Sequence, residues 1–252
     1  MRYLFFVALF WFFSLSALAQ TITVRNFLNP DAPVARDSLA LIEFVSPGAE
    51  TFTDQQMNDP VTAPKTLGGV MVLIDGVLQR IRSVSPTGVV ILVNGAGRAS
   101  RALELRTKFN VIHRTSITVA SVWPSLFVQD SSIESESFYP AGLYTTDGIN
   151  LLPITSASIP VGPTGRPTLV IIQVSGLRRG LGTRGLSVRL NGIQCTVVGV
   201  RSSFFAGQDE LTFQIPSFLA GNGVMDLIIT VDGRSSNLAR LNLGGAAGLI
   251  GN

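Results

Sequence analysis

Arginines crowd two stretches of this chain, and no other side chains in it are so well suited to gripping a ligand. Arg178, Arg179, Arg184, Arg189 and Arg201 form one group, and Arg80, Arg82, Arg98, Arg101 and Arg106 the other. Guanidinium forks match carboxylate and phosphate, so outward-facing members on neighbouring strands would hold an anionic glycan or an envelope component. The first group is the candidate ligand contact. The competing reading is that a half-exposed sheet carries charge on its outer face in any case.

The remaining candidates for chemistry are weaker. Gly162-Pro163-Thr164-Gly165-Arg166-Pro167 and Gly180-Leu181-Gly182-Thr183-Arg184-Gly185 are glycine-rich, but neither opens a helical pattern and the Lys-Ser/Thr of a phosphate-binding loop is missing, so both read as turns. Asp130, Glu134 and Glu136 offer oxygen ligands of the calcium type without EF-hand spacing, and read as a solvated loop. Cys195 is the only cysteine and His113 the only histidine. Cys195 alternates with Ile193 and Val197 and should face inward as a small apolar residue, and His113 reads as a solvated loop residue. A nucleophilic Cys-His pair would need a third, orienting group that nothing in the chain suggests. Glu43, Glu104, Asp209, Glu210 and Asp226 are scattered rather than paired as glycoside hydrolysis demands. Trp123, Phe127, Phe138, Tyr139 and Tyr144 cluster in sequence; they could stack on sugars or cover an edge between domains. No catalytic, cofactor-binding or metal-ligating set emerges, and the expectation is a protein that is not an enzyme and holds no cofactor.

The elements that would carry these residues are strands almost throughout. Leu39 to Val45 and Leu169 to Val174 are buried runs. Val70, Val72 and Ile74 alternate before Asp75-Gly76, and Val188 and Leu190 precede Asn191-Gly192. Asn94-Gly95 and Asp232-Gly233 supply further hairpin signals, and Leu211, Phe213 and Ile215 alternate with Thr212 and Gln214. No segment has a capped helical period. Charged residues make up 14% of the chain, against a usual share of about 25%, while glycine and proline number 25 and 13. Low charge with many turn formers is the composition of a β-sandwich or barrel.

The compartment is legible at the amino terminus. Arg2 supplies one positive charge, Leu4 to Leu15 carries none, and Ala17-Leu18-Ala19 has the small residues that a signal peptidase reads. Residues 1–19 therefore read as a signal peptide cleaved before Gln20, too short to remain as a spanning anchor. No later run reads as a membrane span. The expected location is extracellular, cell-surface or periplasmic. The formal charge of +3, which loses one with Arg2, is too small to argue for nucleic acid.

The strand list then repeats. Ser38-Leu39-Ala40-Leu41-Ile42-Glu43-Phe44 matches Thr168-Leu169-Val170-Ile171-Ile172-Gln173-Val174. Val70 to Val77 matches Leu186 to Ile193, and Ile91-Leu92-Val93-Asn94-Gly95 matches Ile229-Thr230-Val231-Asp232-Gly233. Agreement of apolar pattern and turn chemistry together points to an internal duplication. The expected organisation is a first immunoglobulin-like sandwich at 20–120, a linker at 121–160, a second sandwich at 161–244 and a flexible tail at 245–252. On the third match the first module is shortened by one strand, opposite Gln208 to Leu227. Ile117 to Trp123 would then cover the gap, so residues 162–244 should fold alone and residues 20–110 should not.

Gly176 after a buried strand, Leu186-Ser187-Val188-Arg189-Leu190-Asn191-Gly192, Leu211-Thr212-Phe213-Gln214-Ile215-Pro216 and the ending Leu227 to Asn237 resemble the immunoglobulin-like IPT/TIG pattern. They are more closely similar to an uncharacterised carboxy-terminal domain of secreted proteins from Solibacter-type acidobacteria. Thr66-Leu67-Gly68-Gly69-Val70 and Val84-Ser85-Pro86 fit an earlier repeat of the same kind, so the resemblance runs from about Leu39 to Leu243. It implies an all-β chain of two tandem sandwiches and brings no active site with it; related modules serve as spacers or binding domains. The function class expected is an exported, non-catalytic interaction or structural module whose partner is a protein or an anionic glycan, with loops at the sandwich ends making the contact. The alternative is a secreted carbohydrate-binding accessory domain or hydrolase component.

Overall fold

The computed structural model describes residues 22–44, 52–53, 64–95, 98–107, 112–130, 138–177 and 185–247. The signal segment, Arg178, Arg179, Arg184, Glu134 and Glu136 lie outside these residues. No helix among the described residues is long and apolar enough to cross a membrane.

The first sandwich is built from β1 (Thr23–Asn26), β2 (Val34–Ala35), β3 (Leu39–Glu43), β4 (Phe52–Thr53), β5 (Met71–Ile74), β6 (Val77–Leu78), β7 (Arg80–Ser85), β8 (Gly88–Leu92), β9 (Arg98–Arg106) and β10 (Ile112–Ala120). One sheet runs β1-β3-β8-β7-β4 and the other β2-β10-β9-β5-β6. The opening strand is thus split between sheets: β1 pairs antiparallel with β3, and β2 pairs parallel with β10. Between the sheets lies a core that includes Ile42, Val72, Ile74, Ile91, Leu103 and Leu105. Each such side chain contributes roughly 1.5–3 kcal/mol by leaving water.

The second sandwich begins earlier than its sequence pattern suggests. It comprises β11 (Ser125–Leu126), β12 (Val128–Asp130), β13 (Phe138–Pro140), β14 (Gly142–Thr145), β15 (Leu152–Pro153), β16 (Ile159–Val161), β17 (Leu169–Ser175), β18 (Leu186–Leu190), β19 (Ile193–Ser202), β20 (Asp209–Gln214), β21 (Gly223–Val231), β22 (Arg234–Ser235) and β23 (Ala239–Ala246). Its main path is β15-β14-β17-β20-β19-β18-β21-β23-β16. The opening strand is again split, with β14 antiparallel to β17 and β16 parallel to β23. β19 shifts register between Val197 and Gly199 and passes from β18 to β20, so it belongs to both sheets. In the first sandwich the corresponding stretch is broken at Gln79. That residue is buried, its amide nitrogen donates to Val77 O and its amide oxygen accepts from Asn94 N.

Two hydrogen-bonded clasps recur in both halves. Ser38 Oγ donates to Ala35 O (2.7 Å) and accepts from Ala35 N (3.1 Å); Thr168 Oγ1 donates to Pro160 O (2.8 Å) and accepts from Gly162 N (2.8 Å). Each hydroxyl ties the split opening strand to the strand that follows it. Likewise Asp75 N donates to Ala102 O and Ala102 N to Asp75 Oδ1, while Asn191 N donates to Asp226 O and Asp226 N to Asn191 Oδ1. Asp75-Gly76, Asn191-Gly192 and Asp232-Gly233 all hold both central residues at positive φ, as the two-residue hairpins of type I′ require.

Four sequence expectations need correction. Asn94-Gly95 is no hairpin: β8 pairs with β3 and β7, whereas β9 pairs with β10 and β5, so these residues cross between sheets. β8 therefore corresponds to β20, β9 to β21 and β10 to β23. The first sandwich lacks no strand, and Ile117 to Ala120 belongs to its own last strand rather than filling a gap. The expected linker at 121–160 instead supplies β11, β14, β15 and β16 to the sheets of the second sandwich. The stretch reads as loop because its strands are short and rich in Pro, Gly and Ser, as edge strands are. His113 is also no solvated loop residue, since it is buried on β10.

The sandwiches meet end to side. A Cβ placed on Gly176 would collide with Trp123 O and fall 3.3 Å from Ala35 Cβ, and one on Gly207 would fall only 2.7 Å from Leu39 Cδ2. Leu39 and Leu92 are 1% and 6% exposed, yet they belong to neither core. They face away from the first core toward Phe205, Ala206 and Gly207 of the second sandwich and leave a cavity of only about 10 Å³. Asn26 Nδ2 donates to Ser125 Oγ at 3.2 Å, and Asn237 accepts from Leu126 N and donates to Leu126 O. Arg82 lies over Phe127 at 6.0 Å and Arg234 over Trp123 at 4.8 Å. These two rings of the aromatic cluster serve the junction, while Tyr139 is buried in the second core.

Candidate binding cleft

The junction occupies part of one end of the second sandwich among the described residues. The end of β17 at Ser175-Gly176, the turn between β19 and β20 and the loop holding Asn237 all press on the first sandwich or on β11, so they are not free to meet a partner. The opposite end, where Thr145, Leu169 and Gln214 lie side by side in register, is free, and two loops there enclose a cleft.

The first loop joins β16 to β17. Thr168 clasps Gly162, and Gly162 has no Cβ because one would collide with Arg166 O. Arg166 N closes a turn on Pro163 O at 2.9 Å, which puts Thr164 at an exposed tip. The second loop joins β20 to β21. Ile215 N donates to Thr168 O, and Pro216 leads into a single 3₁₀ turn, Ser217–Leu219. Consecutive residues of so tight a turn point in different directions. Leu219 accordingly plugs the end of the core, while Phe218 is thrown outward, 70% exposed. Thr164 Oγ1 and Ser217 Oγ share a hydrogen bond of 2.9 Å that locks one loop to the other.

The resulting cleft has a volume of about 340 Å³ and is lined by Thr164, Pro167, Thr196, Gln214, Ile215, Pro216, Ser217 and Phe218. It combines hydroxyls and a carboxamide with an apolar floor and an aromatic wall, and none of these lining residues is charged. Nearby, at the end of β14, Asp147 accepts hydrogen bonds from Ile149 N, Asn150 N, Asn150 Nδ2 and the Thr145 hydroxyl. The two backbone N–H groups, foremost, hold its carboxyl far below the usual carboxylate range. That loop presents Ile149, 82% exposed.

Of the arginine group only Arg189 and Arg201 fall among the described residues, and these two are not brought together. Arg189 is exposed on β18, and Arg201 is exposed at the end of β19 with its guanidinium on Glu210 at 2.5 Å. β18 and β20 belong to opposite sheets, so these two side chains leave the sandwich on opposite faces. In the first sandwich Arg101 binds Asp75 at 2.7 Å, and Arg106 and Arg114 bind the two oxygens of Glu104 at 2.5 and 3.1 Å. The guanidinium contacts lower the carboxyls of Asp75 and Glu104 below their ordinary values. Glu43 pairs with Arg25 and Asp226 with Arg240. These carboxylates thus meet guanidinium groups rather than one another.

Cys195 lies in the second core, where burial pushes its thiol up to about 12; His113 lies on β10 of the other sandwich. Among the described residues, no three His, Cys, Asp or Glu side chains converge as metal ligands would. Phe218 went unnoticed in the sequence. The signal available there was an aromatic residue beside a proline, in a stretch that continued neither flanking strand.

A search of curated proteins finds no match. Among solved structures, the Bacteroides ovatus SGBP-B protein of a mixed-linkage glucan utilization locus, in complex with a mixed-linkage heptasaccharide, is 16% identical with a TM-score of 0.23; the match covers 85% of this chain and 43% of that one. The chain thus spans under half the length of that protein. Fibronectin(III)-like modules of Clostridium thermocellum CbhA are 10% identical with a TM-score of 0.23, covering 92% of this chain and 97% of theirs. The sialic acid binding region of a Streptococcus sanguinis SK1 adhesin is 11% identical with a TM-score of 0.16, covering 90% and 78%. Superpositions as loose as these carry no functional argument. Residues 152–242, from β15 into β23, match the family model of the IPT/TIG domain, in keeping with the immunoglobulin-like sandwich seen there.

Proposed function

We propose that this chain is an exported, non-catalytic binding module in which two copies of one immunoglobulin-like unit are joined rigidly, and that it holds a partner at the free end of the second unit. On this reading residues 1–19 direct export, the units divide near Ala120, and the kinship extends to the secreted acidobacterial domains noted above. The observation that carries the reading is the cleft itself: two loops tied by the Thr164–Ser217 hydrogen bond present an outward aromatic residue at the end of the sandwich that the junction leaves open. A site fixed before the partner arrives loses little entropy on binding.

The test is co-sedimentation of the exported chain, beginning at Gln20 by mass spectrometry, with envelope and extracellular-polymer fractions. Saturable retention without release of reducing sugar or peptide is the expected result. Cleavage products, or an absence of saturable retention, would refute it.

A further inference from the structure

We infer that the cleft at Phe218 takes a neutral sugar ring of a polysaccharide, stacked on the phenyl face and hydrogen-bonded by Thr164, Thr196, Gln214 and Ser217. The inference rests on the binding-module reading and names the ligand class of the same site.

Three features select that ligand. The first is the ring. The turn that buries Leu219 also exposes Phe218, so the fold has no use for the phenyl group where it stands. A flat apolar face beside polar groups matches a pyranose, whose C–H face is apolar and whose rim is hydroxyl. The second is the balance of polar groups. Three hydroxyls and one carboxamide supply both donors and acceptors, which suits hydroxyl groups that donate and accept at once. The third is charge. An anionic sugar would need a cation inside the cleft, and none of the lining residues supplies one. Arg166 is exposed on the same loop without lining the cleft, which gives the test a control. The volume of about 340 Å³ falls at the small end of the roughly 300–1,000 Å³ typical of small-molecule sites, enough for a short stretch of one polymer chain.

Affinity gel electrophoresis of the exported chain decides the matter, with neutral β-glucan, xylan and α-glucan as one arm and polygalacturonate and a sulfated glycan as the other, each at low and high salt. At least one neutral polymer should retard the protein equally at both salt concentrations. Phe218→Ala should weaken that binding about ten-fold, the loss expected when the greater part of a phenyl ring is no longer covered. Phe218→Trp should preserve it, Gln214→Ala should weaken it less, and Arg166→Ala should leave it unchanged. Because Phe218 is exposed, an unaltered melting curve for Phe218→Ala is expected, and it separates loss of the site from loss of the fold. Neutral binding indifferent to Phe218→Ala, or binding confined to the anionic polymers and abolished by salt, overturns the inference. Saturable co-sedimentation of the chain with envelope material that no neutral polymer displaces also overturns it while leaving the binding-module reading intact.

Discussion

Gly207 offers a direct measure of whether the two sandwiches act as one body. It lies at φ +75, and a Cβ there would fall 2.7 Å from Leu39 Cδ2, 2.9 Å from Leu39 Cγ and 3.2 Å from Leu92 Cδ1. In Gly207→Ala the left-handed backbone alone costs about 1–2 kcal/mol. The methyl group must also push Leu39 and Leu92 out of the junction, forfeiting part of the roughly 1.5–3 kcal/mol that each buried leucine contributes. The sum is about 2–4 kcal/mol.

Gly221→Ala is the matched control. Its φ is +79 and nothing lies within 4 Å of the position its new methyl group would take, so only the backbone cost of about 1–2 kcal/mol applies. Urea unfolding of the chain beginning at Gln20, in which Trp123 is the only tryptophan, should be followed by far-ultraviolet circular dichroism and by fluorescence of Trp123, which lies at the junction beneath Arg234. The parent and Gly221→Ala should show coincident transitions by both probes. Gly207→Ala should lose its Trp123 signal at lower urea than its circular dichroism. Equal destabilisation by the two substitutions, with coincident probes in both, would refute a packed junction.

Three other outcomes are expected. Ser38→Ala and Thr168→Val each strip two hydrogen bonds from a buried clasp and should each cost about 1–3 kcal/mol in equilibrium unfolding; a loss in one half without the other would contradict their equivalence. A fragment of residues 162–244 omits the buried Leu126, Tyr139, Ile154, Ile159 and Val161, worth together about 8–15 kcal/mol, as much as a whole domain's stability; it should be unfolded by circular dichroism where residues 121–247 fold cooperatively. The Asp147 carboxyl is held well below its ordinary value, so its contribution to stability is fully present above the ordinary aspartate value and is lost progressively as pH falls from there through the lowered folded value; in the folded protein, amide resonances of Ile149 and Asn150 should stay unmoved at the usual aspartate midpoint of about pH 4 and shift only below it, and a shift centred there would contradict the hydrogen bonding described.

Much of the architecture was legible locally. Asp75-Gly76, Asn191-Gly192 and Asp232-Gly233 specify their own hairpins, because positive φ at two successive residues is a property of those residues and their neighbours. The alternation in Leu211-Thr212-Phe213-Gln214-Ile215 placed Leu211, Phe213 and Ile215 in the core, where they are. The kinship of Ser38 and Thr168 was visible as a match of position, and its chemistry proved to be one hydroxyl making the same two bonds in each half. What no local pattern could reveal is which strand lies beside which. Asn94-Gly95 carries the same letters as a hairpin turn, yet it crosses between sheets because β8 finds its partners in β3 and β7. The short strands of residues 125–161 have too few apolar side chains to announce themselves, and they are held by the edges of a sheet written elsewhere in the chain. Leu39 reads as part of a buried run and is buried, but it packs with Leu92 against the other sandwich. Phe218 reads as one more apolar residue. Turn geometry is settled within four residues, whereas sheet partnership, burial from the far side and the facing of two loops depend on groups tens of residues apart, and those meet only when the chain has folded.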